Sequence, residues 1–167
     1  AIGDMKIYGL YQGLVDLADD INGTVSTSNT SIDGTNVVSR AIVNDATLKY
    51  SVNGSNLDVI YTFNNFAKVK AYSLGNAASP SARDPKSWKL EGSTDGENFV
   101  LLDTVADYKW FIDRRCQDVR IIQNPGIYKT YKMTVTAKQG NESFLHIGEF
   151  QIFGTLESSI TTSTTNL

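Results

Sequence analysis

Apolar and polar positions alternate along most of this chain in short runs, and clusters of Gly, Asn, Asp, Ser and Pro separate the runs. Val, Ile, Tyr and Phe fill them, the residue types that pack well on a pleated, half-buried surface. The alternation predicts strands at Gly23–Ser28, Leu57–Phe63, Ala67–Leu74, Ser87–Ser93, Phe99–Val105, Val119–Ile122, Tyr128–Ala137 and Leu145–Phe153. Ser51-Val52-Asn53-Gly54 and Ser93-Thr94-Asp95-Gly96 carry the Asn-Gly and Asp-Gly pairs that tight reversals favour, so both are predicted turns. Helical spacing occurs at Tyr11–Ile21, where Leu14, Leu17 and Ala18 share one face, and Ser39–Val43 adds a turn. Strands dominate otherwise, which predicts an all-β sandwich.

The chain ends almost as it begins. Ile2-Gly3-Asp4-Met5-Lys6-Ile7-Tyr8-Gly9-Leu10 is echoed by Ile147-Gly148-Glu149-Phe150-Gln151-Ile152-Phe153-Gly154-Thr155. Each copy reads as the last strand of a domain, closed by a chain-reversing Gly. Residues 1–14 are therefore expected to be the tail of a preceding β domain or a linker, residues 15–156 the sandwich, and residues 157–167 a Ser/Thr-rich tail. The alternative is that residues 2–9 pair into this domain's own sheet.

Antiparallel neighbours force successive loops to alternate between the two ends of a sandwich. With the start of Ser87–Ser93 at an upper rim, Gly75–Lys86, Ala106–Arg115 and Lys138–Phe144 all fall on that rim. The Asp95-Gly96 and Asn124-Pro125-Gly126 turns fall on the lower one. Long loops on a rigid scaffold are where binding residues usually sit.

Composition narrows the partners. The chain has 167 residues, 41% hydrophobic and 10% aromatic, enough for one domain with a real core. A net charge of -3 and a pI near 5.1 give no electrostatic reason to bind nucleic acid or an anionic membrane. Cys116 stands alone, so an intrachain disulfide and a cysteine metal cluster are both excluded. No apolar run approaches the ~20 residues of a membrane helix. Four Asn-x-Ser/Thr sequons begin at Asn22, Asn29, Asn53 and Asn141 and matter only in a host that glycosylates. A nucleophile elbow, a metal-ligand cluster or a paired-carboxylate cleft would signal an enzyme, and none appears at recognisable spacing.

Three motifs carry a resemblance: Arg83-Asp84-Pro85-Lys86-Ser87-Trp88-Lys89-Leu90-Glu91-Gly92-Ser93-Thr94-Asp95-Gly96, then Tyr128-Lys129-Thr130-Tyr131-Lys132-Met133-Thr134-Val135-Thr136-Ala137, then Leu145-His146-Ile147-Gly148-Glu149-Phe150-Gln151-Ile152-Phe153-Gly154. In this order the chain resembles the discoidin, or coagulation factor 5/8 type C, family, and is most similar to the bacterial branch related to carbohydrate-binding module family 32. The resemblance implies a galactose-binding-like jelly-roll β-sandwich and a noncatalytic module that binds a glycan or oligosaccharide. Such modules are commonly appended to glycoside hydrolases, including hexosaminidases of the chitobiase type. Adjacent domains of the same polypeptide and an extracellular, periplasmic or cell-surface location are implied with it. The animal branch's cysteine pair is missing here, which argues against membrane binding.

The family's Asp-Gly-x-x-x-Thr-x-aromatic loop implies a structural calcium. The matching stretch is Ala41–Tyr50, where Val43 and Leu48 depart from the pattern and Asp45, Thr47 and Glu149 remain as oxygen donors. Glu149 has another reading, a carboxylate paired with a loop base. For the ligand, a flat exposed aromatic beside polar forks suits a sugar's weakly apolar face and hydroxyl ring. Trp110 with Tyr108 supplies the candidate platform, unless Trp110 or Phe111 folds inward as a plug. Arg83, Asn76 and Asn141 supply hydrogen bonds, Arg83 through a guanidinium that can equally tie down its own loop. His146 reads as a satisfied strand-edge imidazole. The competing expectation is a structural spacer or protein-interaction domain without a sugar site.

Overall fold

A computed structural model describes residues 15–78, 80–111 and 114–158. The repeat at residues 2–10, the tail reading of residues 1–14 and most of the Ser/Thr-rich tail lie outside them. Ten strands occur among the described residues: β1 Val15–Asp16, β2 Gly23–Ser26, β3 Tyr50–Asn53, β4 Leu57–Gly75, β5 Pro85–Ser93, β6 Val100–Val105, β7 Gln117–Ile121, β8 Ile127–Lys138, β9 Phe144–Ile147 and β10 Phe150–Glu157. All pairings are antiparallel. One-turn 3-10 helices at Val38–Ala41 and Ser81–Arg83 are the helical elements among these residues.

β4 organises the sandwich. Its first half pairs with β2 and β8, its second half with β10 and β7, and the register against β8 shifts between Thr62 and Ala67. One strand thereby organises the eight-stranded sheet, beside the two-stranded β3–β9 sheet, and the two strands predicted at Leu57–Phe63 and Ala67–Leu74 are its halves. The apolar side chains enclosed include Trp88, Tyr61, Tyr72, Tyr131, Phe63 and Phe150, each nearly inaccessible. The buried tyrosines keep their hydroxyls satisfied: Tyr131 donates to the Ala67 carbonyl at 2.9 Å and Tyr72 to the Asp103 carboxylate at 2.8 Å.

Two expectations change. The part of the predicted Tyr11–Ile21 helix that is described begins as strand, with Val15 opposite Gly154 and Asp16 opposite Phe153. Asp16 accepts hydrogen bonds from the Ala18 and Ile152 backbones, and Asp19 accepts from Ile21 and Asn22, so acidic side chains take the amides that a helix would have bonded internally. The predicted Leu145–Phe153 strand is two strands with a corner at Gly148-Glu149, and β9 there pairs with β3.

Candidate functional site

The described parts of loops 76–84, 106–116 and 139–143 meet at one rim, as the alternation of strand directions predicts. Gln139 fastens them: its backbone N–H donates to the Asp84 carbonyl at 2.9 Å and its side-chain amide to the carbonyls of Pro85 at 3.1 Å and Tyr108 at 2.7 Å. Gly140 N–H donates to the Ala82 carbonyl at 2.7 Å. The Asn53-Gly54 turn joins the same rim, with Gly54 N–H donating to Ser143 at 2.8 Å and Lys138 Nζ donating to Gly54 at 2.9 Å. Gly54 has φ 138°, a conformation side chains rarely adopt.

Arg83, carried on the 3-10 turn that leads into β5, pairs through Nε with the Glu142 carboxylate. Its guanidinium carbon stands 5.2 Å from the centre of the Phe144 ring. The pair is partly exposed, with side-chain accessibilities of 26% and 39%, and Asn141 beside it is exposed. An aromatic ring, a guanidinium, a carboxylate and an amide thus share one open patch. Arg83 ties its turn to the 139–143 loop through the Glu142 carboxylate, not to its own loop through backbone carbonyls, and its side chain stays partly exposed. Phe144, which sequence reasoning passed over, is brought into the site by the start of β9. Its position directly before the Leu145–Gly154 motif was the available signal.

The Trp110 and Tyr108 platform is placed differently. Trp110 is stacked on buried Trp88 at 6.1 Å and 21°, and its indole N–H donates to the Pro85 carbonyl at 2.7 Å. Tyr108 stands edge-on to both rings, at 5.2 and 5.0 Å, and burial pushes its pKa up to about 12 with help from Asp118. Both are half-buried and packed against the core. The exposed aromatic of this loop is Phe111, at 94%, flanked by exposed Lys109.

Asn76 also turns inward. It is 2% exposed, donates to the Asp84 carboxylate at 3.2 Å and accepts from Cys116 N–H at 2.6 Å, which makes it a fastener between loops and not a surface donor. His146 is 1% exposed with Nδ1 2.7 Å from Ser51 Oγ. Burial, then the charges of Lys49 and Arg83, lower its pKa to about 4, so the ring is neutral at pH 7.

For the implied calcium, Asp45 is exposed and its carboxylate closes a local turn, accepting from Thr47 N–H at 2.9 Å and Thr47 Oγ1 at 2.6 Å. Those hydrogen bonds lower its pKa. Glu149 is buried and its carboxylate accepts from Gln117 Nε2. Among the described residues no three carboxylate, His or Cys side chains gather to hold a metal. As arranged, the three residues do not make the cage of six to eight oxygens that calcium wants.

No protein-family model matches the chain, and no curated protein matches it in sequence. Solved structures do match. The family 32 carbohydrate-binding module of Streptococcus pneumoniae EndoD aligns with a TM-score of 0.69 and 12% identity, over 84% of this chain and 100% of that one. The C-terminal domain of a chitobiase from Bacteroides fragilis gives 0.69 and 15%, over 86% and 100%. A GH89 CBM32 module from Clostridium perfringens, in complex with GalNAc-β-1,3-galactose, gives 0.68 and 14%, over 84% and 100%.

Proposed function

We propose, on the premise that this chain has the discoidin-like β-sandwich fold of family 32 carbohydrate-binding modules, that it is a noncatalytic domain that binds glycan at the rim of Arg83, Phe144, Glu142 and Asn141. The observation that carries this reading is the Arg83 guanidinium over the Phe144 ring beside the Glu142 carboxylate. A sugar's CH face packs on an aromatic ring, while a fork of donors and a carboxylate acceptor suit its hydroxyls. Asn141 adds an amide that both donates and accepts. Trp110 and Tyr108 pack on Trp88 in the neighbouring loop, and Gln139 ties the Tyr108 carbonyl to this rim. The module would hold an attached glycoside hydrolase, of hexosaminidase or chitobiase type, near polymeric substrate outside the cell or on its surface by effective concentration. No step of this reading passes through calcium.

A shallow, partly exposed patch buries little, so a single sugar should bind with Kd roughly 0.1–1 mM. NMR shift titration with galactose, GalNAc-β-1,3-galactose and chitosan oligomers tests it, alongside Phe144→Ala and Arg83→Ala. Saturable shifts lost in both variants support the reading; shifts that survive both place the ligand elsewhere. The second reading, a spacer or protein-interaction domain, draws on the inward packing of Trp110 and Tyr108 and on the neutralisation of Arg83 by Glu142. It predicts no response to any of these sugars at ~10 mM, well above the Kd expected for a sugar module.

A further inference from the structure

Beside the Arg83–Phe144 patch runs an open groove of about 540 Å³, walled by the Asn53-Gly54-Ser55 turn on one side and the 140–143 loop on the other, with Thr136 and Lys138 of β8 as its floor. Glu142 belongs to both places: it lines the groove, and its carboxylate pairs with Arg83. We propose that the groove is an extension subsite, taking the further sugar units of an oligosaccharide whose first ring rests on Phe144. This rests on the glycan reading above and adds that the preferred ligand is a chain and not a single sugar.

The chemistry of the walls argues for that occupant. Asn53, Ser55, Thr136, Asn141 and Ser143 present amides and hydroxyls, groups that both donate and accept as sugar hydroxyls do. The groove holds no large apolar side chain, so an acyl chain or an apolar peptide anchor would find nothing to pack against. Its volume lies within the ~300–1,000 Å³ of small-molecule sites. The walls are also held in place before any ligand arrives. Gly54 N–H is bonded to Ser143, and Lys138 Nζ bridges the Gly54 and Glu142 carbonyls, which crosses the groove's base from one wall to the other. An ammonium carries three donors, so Lys138 can also meet a ligand hydroxyl. Preorganised walls spare the ordering penalty that weakens exposed loop sites.

Isothermal titration with glucosamine and chitosan oligomers of increasing length, and with galactose against GalNAc-β-1,3-galactose, reads the proposal directly. In at least one series the wild type should tighten by tenfold or more from one unit to the longer ligand. Thr136→Trp fills the groove from an exposed strand position, and melting curves show whether it is folded. It should bring the longer ligand down to the affinity of the single unit. Ser55→Trp, from the opposite wall, should do the same and serves if the first variant does not fold. Equal affinity for short and long ligands, or a length dependence that survives a folded groove-filling variant, overturns the extension while leaving single-sugar binding at Phe144 standing. No heat with any ligand, at concentrations where single-sugar binding should saturate, overturns the glycan reading and this one with it.

Discussion

His146 shows how one buried side chain can set the acid behaviour of the site. Its ring is 1% exposed, rests against Ser51 and lies in the field of Lys49, Arg83 and Lys138, with Glu142 as the opposing charge. A histidine whose folded pKa is lowered to about 4 binds fewer protons in the native state than in the unfolded chain, where it titrates near 6.5. Stability from this residue is therefore complete above pH 6.5 and is lost as pH falls from 6.5 towards 4, by about 3 kcal/mol. Urea unfolding at pH 7 and pH 4 should show His146→Gln losing less stability on acidification than the wild type by about that amount, whatever its stability at pH 7; identical losses would mean His146 is not the titrating group. At the same scale, Trp110 and Phe144 should separate. Trp110→Ala empties a stacked, hydrogen-bonded position and should lower stability by about 2–4 kcal/mol, while Phe144→Ala should chiefly remove sugar binding. The sequence shows aromatic residues at 108, 110, 111 and 144 but not which of them face out. That is decided by the indole N–H of Trp110 meeting the Pro85 carbonyl, 25 residues away, a contact that alternation along the chain cannot reveal.

Elements were legible where their pattern was local. β5, β6 and β8 match the predicted runs to within two residues at each end, because each is a run of residues that favour strands bounded by turn-forming residues. The β9–β10 corner shows in the sequence only as a slip of phase, with apolar positions at 145 and 147 and then at 150 and 152, where the backbone at Gly148-Glu149 turns away to bond Gly75 from both sides. Likewise β1 hides in a segment with helical spacing, and β3 overlaps the start of a correctly expected turn. Glycines explain where strands can approach most closely. At the β10 bulge, a Cβ on Gly154 would stand 2.2 Å from the Lys68 carbonyl oxygen, a backbone atom that cannot step aside. Gly154→Ala should thus lower stability by about 1–3 kcal/mol in denaturant unfolding; an unchanged midpoint would show that the bulge relaxes freely. Strands that are not paired neighbours are also joined by polar contacts. Asp103 on β6 accepts from Tyr72 Oη on β4 at 2.8 Å and from Arg120 Nε on β7 at 2.7 Å, and Trp88 Nε1 donates to the same Tyr72 oxygen at 3.0 Å. The hydrogen-bond chain ends on the tryptophan that supports the rim aromatics, which links packing between strands to the shape of the rim.

At the scale of the whole molecule, the question is which extended surface the rim can engage. Phe111 projects at 94% exposure, and Lys109, Arg114 and Arg115 of the same loop are exposed too, the residue types that a membrane-inserting spike needs. Burying one phenylalanine contributes about 1.5–3 kcal/mol, and three basic residues contribute about 1 kcal/mol each at an anionic leaflet. The sum is roughly 5 kcal/mol, an association constant below about 10⁴ M⁻¹, which is marginal even before the net charge of -3 opposes approach. A polymeric glycan needs no such field: Arg83 is already neutralised by Glu142, and repeated weak contacts along one chain combine through effective concentration. Sugar binding should consequently change less than about twofold between 50 and 500 mM salt, because few free charges are screened. Co-sedimentation with vesicles of 20% phosphatidylserine at about 0.1 mM accessible lipid should leave most of the protein in the supernatant, and added salt should release the rest. Pelleting that persists at 0.5 M salt would move the function of this rim from glycan to membrane, since only apolar insertion deeper than one phenylalanine resists screening.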